Sequence, residues 1–255
     1  MKTKPYFAML FTLLGVIISI SGYTAAMGDN EIYPRIKSAI AIYNFDSLKS
    51  IQESLKIRYE KEKAPSNVLY YLAFSEYKLL EMCLRDGSKN SFDVIKQSAE
   101  THTGELIGIK GFESEGKVIL SGIYMMRIAH NWSDAIALSP LFYSTLAEAE
   151  KLNKNNPRVY LLRGMMKFNT PEMFGGNKEE ALTNFLKASS LFENAEEGKE
   201  FNPEWGYLET LAWTGQVYAK LGNVDTARYY YKKILTIEPE NKWVKYVLLP
   251  ALDKQ

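Results

Sequence analysis

The chain has little of what catalytic and metal sites are usually built from. It holds one cysteine and two histidines in 255 residues. A single cysteine forms no internal disulfide, and Cys83 stands in the apolar stretch Leu79-Leu80-Glu81-Met82-Cys83-Leu84, where it reads as a buried small hydrophobe. His102 and His130 are 28 positions apart, and neither has a second histidine or a cysteine at ligand spacing, so no metal is expected. His102, in Glu100-Thr101-His102-Thr103, reads as a residue of a polar helix face. No serine sits in a strand–turn–helix elbow, and the plentiful carboxylates fall into the pattern of solvated helix faces. No catalytic residue and no cofactor are therefore assigned, and the chain is not read as an enzyme. An excess of charge of one sign is also missing: 31 basic residues stand against 30 acidic ones, which excludes the electrostatic footprint of a nucleic-acid or strong membrane-surface binder.

The one long apolar run is N-terminal. Met1-Lys2-Thr3-Lys4 is followed by an apolar run from Tyr6 to Ile20 and then by small residues ending at Ala25-Ala26. Basic, apolar and small segments in that order make an export signal, with cleavage expected after Ala26. The run is short for a membrane span, which needs about 20 apolar residues, although an uncleaved anchor is the alternative. Removing residues 1–26 leaves 29 basic and 30 acidic residues. A periplasmic or otherwise exported protein is expected, with residues 27–255 as a single helical-repeat domain large enough for one continuous core.

Helical periodicity fills that domain. Ile32, Ile36 and Ile40, then Leu48, Ile51, Leu55 and Tyr59, form two apolar stripes around a turn at Asn44-Phe45-Asp46, with Asp46 a candidate cap. A second pair starts near Pro65 and turns at Asp86-Gly87-Ser88, with Asn90-Ser91 as candidate caps and Gly111 marking the next turn. A third turns at His130-Asn131-Trp132-Ser133, with Gly122 at a helix crossing. Pro140 either kinks its second helix or begins it with Ser139 as cap.

The last two pairs, residues 157–192 and 208–241, are the clearest. In the second of them Gly215, Tyr218, Gly222, Ala227, Tyr231 and Pro239 fall at the positions that a tetratricopeptide (TPR) unit of about 34 residues reserves for them. Gly215 removes a side chain at a close crossing, Tyr231 fills the space, Gly222 ends the first helix, and Asn223 or Asp225 can cap the second. Gly164, Ala181 and Phe185 mirror Gly215, Ala227 and Tyr231 one unit earlier. Gly164 to Ala181 spans 17 residues against 12 from Gly215 to Ala227, so the turn Thr170-Pro171-Glu172-Met173-Phe174-Gly175-Gly176 carries an insertion. That glycine pair lacks the Gly-Lys-Ser/Thr ending of a phosphate loop and reads as a turn, with Phe174 tucked back between helices and Asn177 capping the next helix. The expected fold is all-α: a TPR-like superhelix of about five antiparallel hairpins, closed by a C-terminal capping helix around Trp243, Val244, Val247 and Leu248.

The segments NPRVYLLRGMMKFNTPEMFGGNKEEALTNFLKA, WGYLETLAWTGQVY and WVKYVLLPAL resemble a group of exported TPR proteins common in Bacteroidetes-type bacteria, over most of residues 65–250. The Thr-Pro-Glu-x-Phe-Gly-Gly turn is the most specific mark. A more distant similarity is to the TPR partner of some periplasmic solute transporters, which shares a glycine-pair insertion. The resemblance implies export, a helical superhelix and binding of a protein or peptide.

In such a superhelix the first helix of each pair lines the concave side. Taking Gly164 and Gly215 as crossing positions turns Arg158, Met165, Phe168 and Asn169 towards the groove, together with Glu209, Gln216 and Lys220. Phe174, Gly175 and Gly176 are candidate contacts of the inserted loop, and Tyr207, Tyr229 and Tyr230 candidate exposed aromatics. The expected role is a protein- or peptide-binding scaffold or adaptor in the cell envelope. The alternative is a small-ligand-binding accessory of a periplasmic transport system, distinguished by a closed apolar cavity in place of an open groove.

Overall fold

The computed structural model describes residues 28–62, 66–86, 89–195 and 203–254. The export segment expected over residues 1–26, the turn at 87–88 and most of the polar linker after α8 lie outside the described residues. Five antiparallel hairpins follow one another: α1 (Asp29–Ala41) with α2 (Phe45–Glu62), α3 (Ser66–Asp86) with α4 (Lys89–Ile107), α5 (Glu113–His130) with α6 (Ala135–Leu152), α7 (Pro157–Asn169) with α8 (Lys178–Glu193), and α9 (Tyr207–Lys220) with α10 (Val224–Ile237). A π-helical turn, Val244–Leu248, runs into the short α11 (Leu249–Leu252). There is no strand among the described residues. First helices pack on first helices from hairpin to hairpin, α1 on α3, α3 on α5, α5 on α7 and α7 on α9. The fold is the all-α, TPR-like superhelix expected from the spacing.

Small residues set how close the helices come. A Cβ on Gly164 would sit 2.6 Å from Phe185 Cε1, and one on Gly215 would sit 2.4 Å from Tyr231 Cε1. Both contacts are between the two helices of one hairpin, and Ala181 and Ala227 one turn earlier are fully buried. Gly122 also lies at a crossing, but its neighbour is Tyr77 of the preceding hairpin.

Short polar side chains end the helices. Asn156 accepts from the backbone N–H of Arg158 (3.0 Å) and Asn177 from that of Glu180 (2.8 Å), each satisfying an orphan donor of a first turn. Three local expectations are corrected. Asn44, not Asp46, caps α2, through a bond from Ser47 N–H (2.9 Å), because the helix begins two residues earlier than a cap at Asp46 requires. Asn223 holds the cap position of α10 with no side-chain capping bond. Pro140 lies inside α6, which starts at Ala135, so Ser139 caps nothing.

Val244, Leu248 and Leu252 bury against Leu211, Ala212, Ala227, Tyr231 and Ile234, covering the open face of the last hairpin. The remaining buried side chains, from Ile32 to Val217, form one continuous core. No helix among the described residues is long and apolar enough to cross a membrane.

Candidate functional site: a partly open cavity on the concave face

The concave side holds a partly open cavity of about 480 Å³. Its walls come from the first helices α1, α3, α7 and α9, from the segment 203–206, and from the chain after α10. Two features border it. The first is a contact between the ends of the array: Lys37 Nζ of α1 lies 3.6 Å from Oε1 of Glu238, just past α10. The second is Trp205, which enters from the linker and is only 3% exposed.

A buried polar network pins that linker. The Trp205 indole N–H donates to the Tyr70 hydroxyl (2.6 Å), and the ring stacks on Phe74 with centroids 4.9 Å apart. Tyr70 in turn donates to Glu115 (3.1 Å), whose other oxygen accepts from Asn156 (2.8 Å). Arg158 lies 3.4 Å from Glu115, donates to the backbone carbonyl of Pro203, and places its guanidinium over Trp205. Burial pushes the Tyr70 hydroxyl well above its ordinary pKa, so it stays a proton donor. The linker is thus held by a network whose polar groups largely satisfy one another.

Aromatic side chains make up one part of the cavity lining, Tyr33, Trp213 and Trp243 among them, while Phe74, Tyr77 and Trp205 border it with at most 3% of their surface exposed. Its cations are Lys37, Lys78 and Arg85; its carboxylates are Glu81, Glu204, Glu209 and Glu238. Lys78 is 5% exposed; its ammonium pairs with Glu81 and lies 3.8 Å from Glu209. Burial alone would lower its pKa, but the two carboxylates outweigh that and hold it above the usual lysine value. Tyr33 and Tyr77 are pushed up chiefly by burial, which keeps both phenols protonated.

Of the residues expected in the groove, Met165 and Glu209 line the cavity. Arg158 stands behind the wall, 3% exposed, holding the linker. Phe168 packs edge-on against Trp213 (5.5 Å), and the exposed Asn169 bonds back to the Met165 carbonyl (2.8 Å). Gln216 keeps a buried side-chain nitrogen without a hydrogen-bond partner, and Lys220 is exposed outside the cavity. In the inserted loop, Gly175 takes φ +92°, and a Cβ on Gly176 would fall 1.7 Å from the Thr170 carbonyl oxygen, which accounts for the glycine pair. Phe174 does not tuck between helices. It is 60% exposed and meets the Trp132 ring at 5.9 Å. Tyr207 lines the cavity, Tyr230 stacks on Tyr218 (5.7 Å), and Tyr229 is exposed.

Sequence reading missed the contributions of α1 and α3, whose pairs have no recognisable repeat register, and it missed Trp205, which follows a polar linker. It also placed two buried groups on the surface. His102 is 7% exposed with Nδ1 2.9 Å from Glu76 Oε2, and Glu76 is fully buried and also accepts from Gln52 (2.9 Å). Neither histidine lines the cavity; His130 stacks flat on Phe92 elsewhere (4.0 Å). No group of three or more potential metal ligands occurs among the described residues.

No family model matches the chain, and no curated protein matches it. Solved structures are similar. The HusA haemophore from Porphyromonas gingivalis superposes with a TM-score of 0.64 at 21% identity, over 77% of this chain and 96% of that one. A thermophilic TPR protein of Thermus thermophilus superposes with a TM-score of 0.56 at 17% identity, over 87% of this chain and 98% of that one. At these identities the likeness establishes the TPR-like fold.

Proposed function

We propose that this chain is an exported, non-catalytic binding protein that encloses a small, mainly apolar, ring-bearing molecule in its concave cavity. Tetrapyrroles are the first class to test. The observation that carries this reading is the concave cavity with aromatic side chains in its lining. Its volume of about 480 Å³ is in the range of small-molecule sites, and its wall mixes aromatic and aliphatic side chains with seven charged ones. An extended peptide needs a groove open along successive first helices, but Trp205 sits on α3 in that groove, which favours a compact ligand. The small-ligand expectation therefore takes precedence at this surface over the peptide-scaffold one. The similar haemophore suggests the class, while fold alone assigns no function. With no histidine or cysteine in the wall, ring stacking and apolar contact are what these residues offer a flat ligand. Export rests on the order of residues 1–26, and the transport-accessory role is carried forward on the same footing.

Trp205, Trp213 and Trp243 are built-in reporters. Titration of the purified protein with haem or free-base porphyrin should quench tryptophan fluorescence to saturation at one ligand per chain and raise the melting temperature. No quenching and no thermal shift with either compound would sink the proposal.

A second reading concerns another surface. Trp132, Ile136, Met173 and Phe174 are 53, 90, 83 and 60% exposed. Exposed aromatic and thioether side chains clustered at the inserted loop support its expected contact with a protein partner. A photocrosslinker at position 174 should give a discrete adduct in intact cells, and its absence would remove this reading.

A further inference from the structure

We propose that Arg85 is where the acidic group of the cavity's ligand binds, so that the site selects an amphipathic molecule with an apolar body and a carboxylate at one end. This rests on the cavity reading above and adds a chemical requirement to it. Three cations face the chamber, and two are already neutralised. Lys37 lies 3.6 Å from Glu238, and Lys78 is shared between Glu81 and Glu209. Arg85 has no carboxylate within ion-pair distance among the described residues. Its guanidinium lies over the Tyr43 ring, 4.0 Å from the centroid, and donates to the Tyr43 hydroxyl. A neutral phenol orients that charge without cancelling it, and a guanidinium with five donors keeps enough to receive a carboxylate through two parallel bonds.

Position and backbone agree with this assignment. Phe74, Tyr77, Lys78, Glu81, Met82 and Arg85 fall on one face of α3 and all line the chamber. At 1.5 Å per residue, Phe74 and Arg85 stand about 16 Å apart along the helix axis. The Phe74 end of this face packs on Trp205, and the other end carries Arg85 in the last turn of α3. Glu81, one turn before Arg85, is held by Lys78, and Glu209 lies 3.8 Å from the same ammonium. Tyr43, which holds the guanidinium, is the one non-glycine residue among those described with positive φ, at 52°. That conformation is the left-handed close of α1, with Tyr43 N–H donating to the Ile40 carbonyl and Asn44 N–H to that of Ala39.

The test compares protoporphyrin with its dimethyl ester on wild type, Arg85→Met and Lys37→Met by tryptophan quenching. Wild type should bind the diacid about tenfold or more tighter than the diester, the scale of a charge-assisted hydrogen bond. Arg85→Met should lose that preference while binding the diester as wild type does; Lys37→Met should keep it. The proposal is overturned if Arg85→Met, with unchanged circular dichroism and melting temperature, retains the preference, or if Lys37→Met abolishes it instead. Equal binding of both forms by wild type overturns the role of Arg85 and leaves the cavity reading standing. Binding of neither form overturns both.

Discussion

Lys37 and Glu238 meet at 3.6 Å across the mouth of the superhelix, joining the first helix to the residue that ends the tenth. Both residues line the cavity, so the contact borders its mouth. Lys37 is 43% exposed, so the pair is worth less than about 1 kcal/mol to stability. Its effect should be on access: Lys37→Glu should leave the melting temperature within a degree or two and speed ligand release. Stopped-flow displacement of bound porphyrin measures this, and an unchanged off-rate would show that the contact does not gate the chamber.

Gly215 and Gly104 should respond oppositely to the same substitution. A Cβ at 215 would meet the Tyr231 ring at 2.4 Å inside the last hairpin, whereas nothing lies within 4 Å of one at 104. Gly215→Ala should cost about 1–3 kcal/mol through overpacking. Gly104→Ala, on an exposed turn of α4, should be neutral or stabilise by up to about 1 kcal/mol through the unfolded chain. Urea denaturation of both variants checks the register; equal shifts would refute it.

Arg158→Met should destabilise out of proportion to its packing, because Glu115, with a side chain only 12% exposed, loses its cationic partner. Breaking a buried pair from one side costs about 3–5 kcal/mol. Adding Glu115→Gln should recover part of the loss. A double-mutant cycle in denaturant measures the coupling, and strict additivity would argue that the pair is not what holds the linker.

Acid should weaken the second halves of the array. Bonds from Arg163 and then Tyr160 lower the Glu150 pKa, and bonds from Lys233 and then Tyr207 lower that of Glu193. A carboxylate with a depressed folded value adds stability above the unfolded range, about 4.3, and loses it as pH falls through the folded value. Melting temperature should therefore fall below about pH 4, and the gap between wild type and Glu150→Gln should narrow over the same range. A gap independent of pH would contradict the assignment.

Trp205→Ala should remove the stacked ring on Phe74 and cost about 3–5 kcal/mol. Trp205→Phe keeps part of the wall and should retain folding while reducing porphyrin quenching. If quenching were unaffected, Trp205 would not face the ligand.

Periodicity and small residues were enough to read the helices, the five hairpins and the crossings at Gly164 and Gly215, because those depend on contacts within one repeat. Of the residues that the same reasoning turned towards the groove, Met165 and Glu209 line the cavity. It could not recover the walls supplied by α1 and α3, whose first three pairs depart from the repeat pattern, or the burial of His102 and Glu76, which look like ordinary polar helix residues in the chain.

The sequence by itself determined that this chain is a stack of helical hairpins, since side-chain volume at fixed spacing decides how two neighbouring helices nest. Only the tertiary structure decided that the two ends of the stack and Trp205 border one cavity. That arrangement depends on residues far apart in the chain, Lys37 with Glu238 and Trp205 with Tyr70 and Phe74, and no local pattern records where a superhelix brings its ends together.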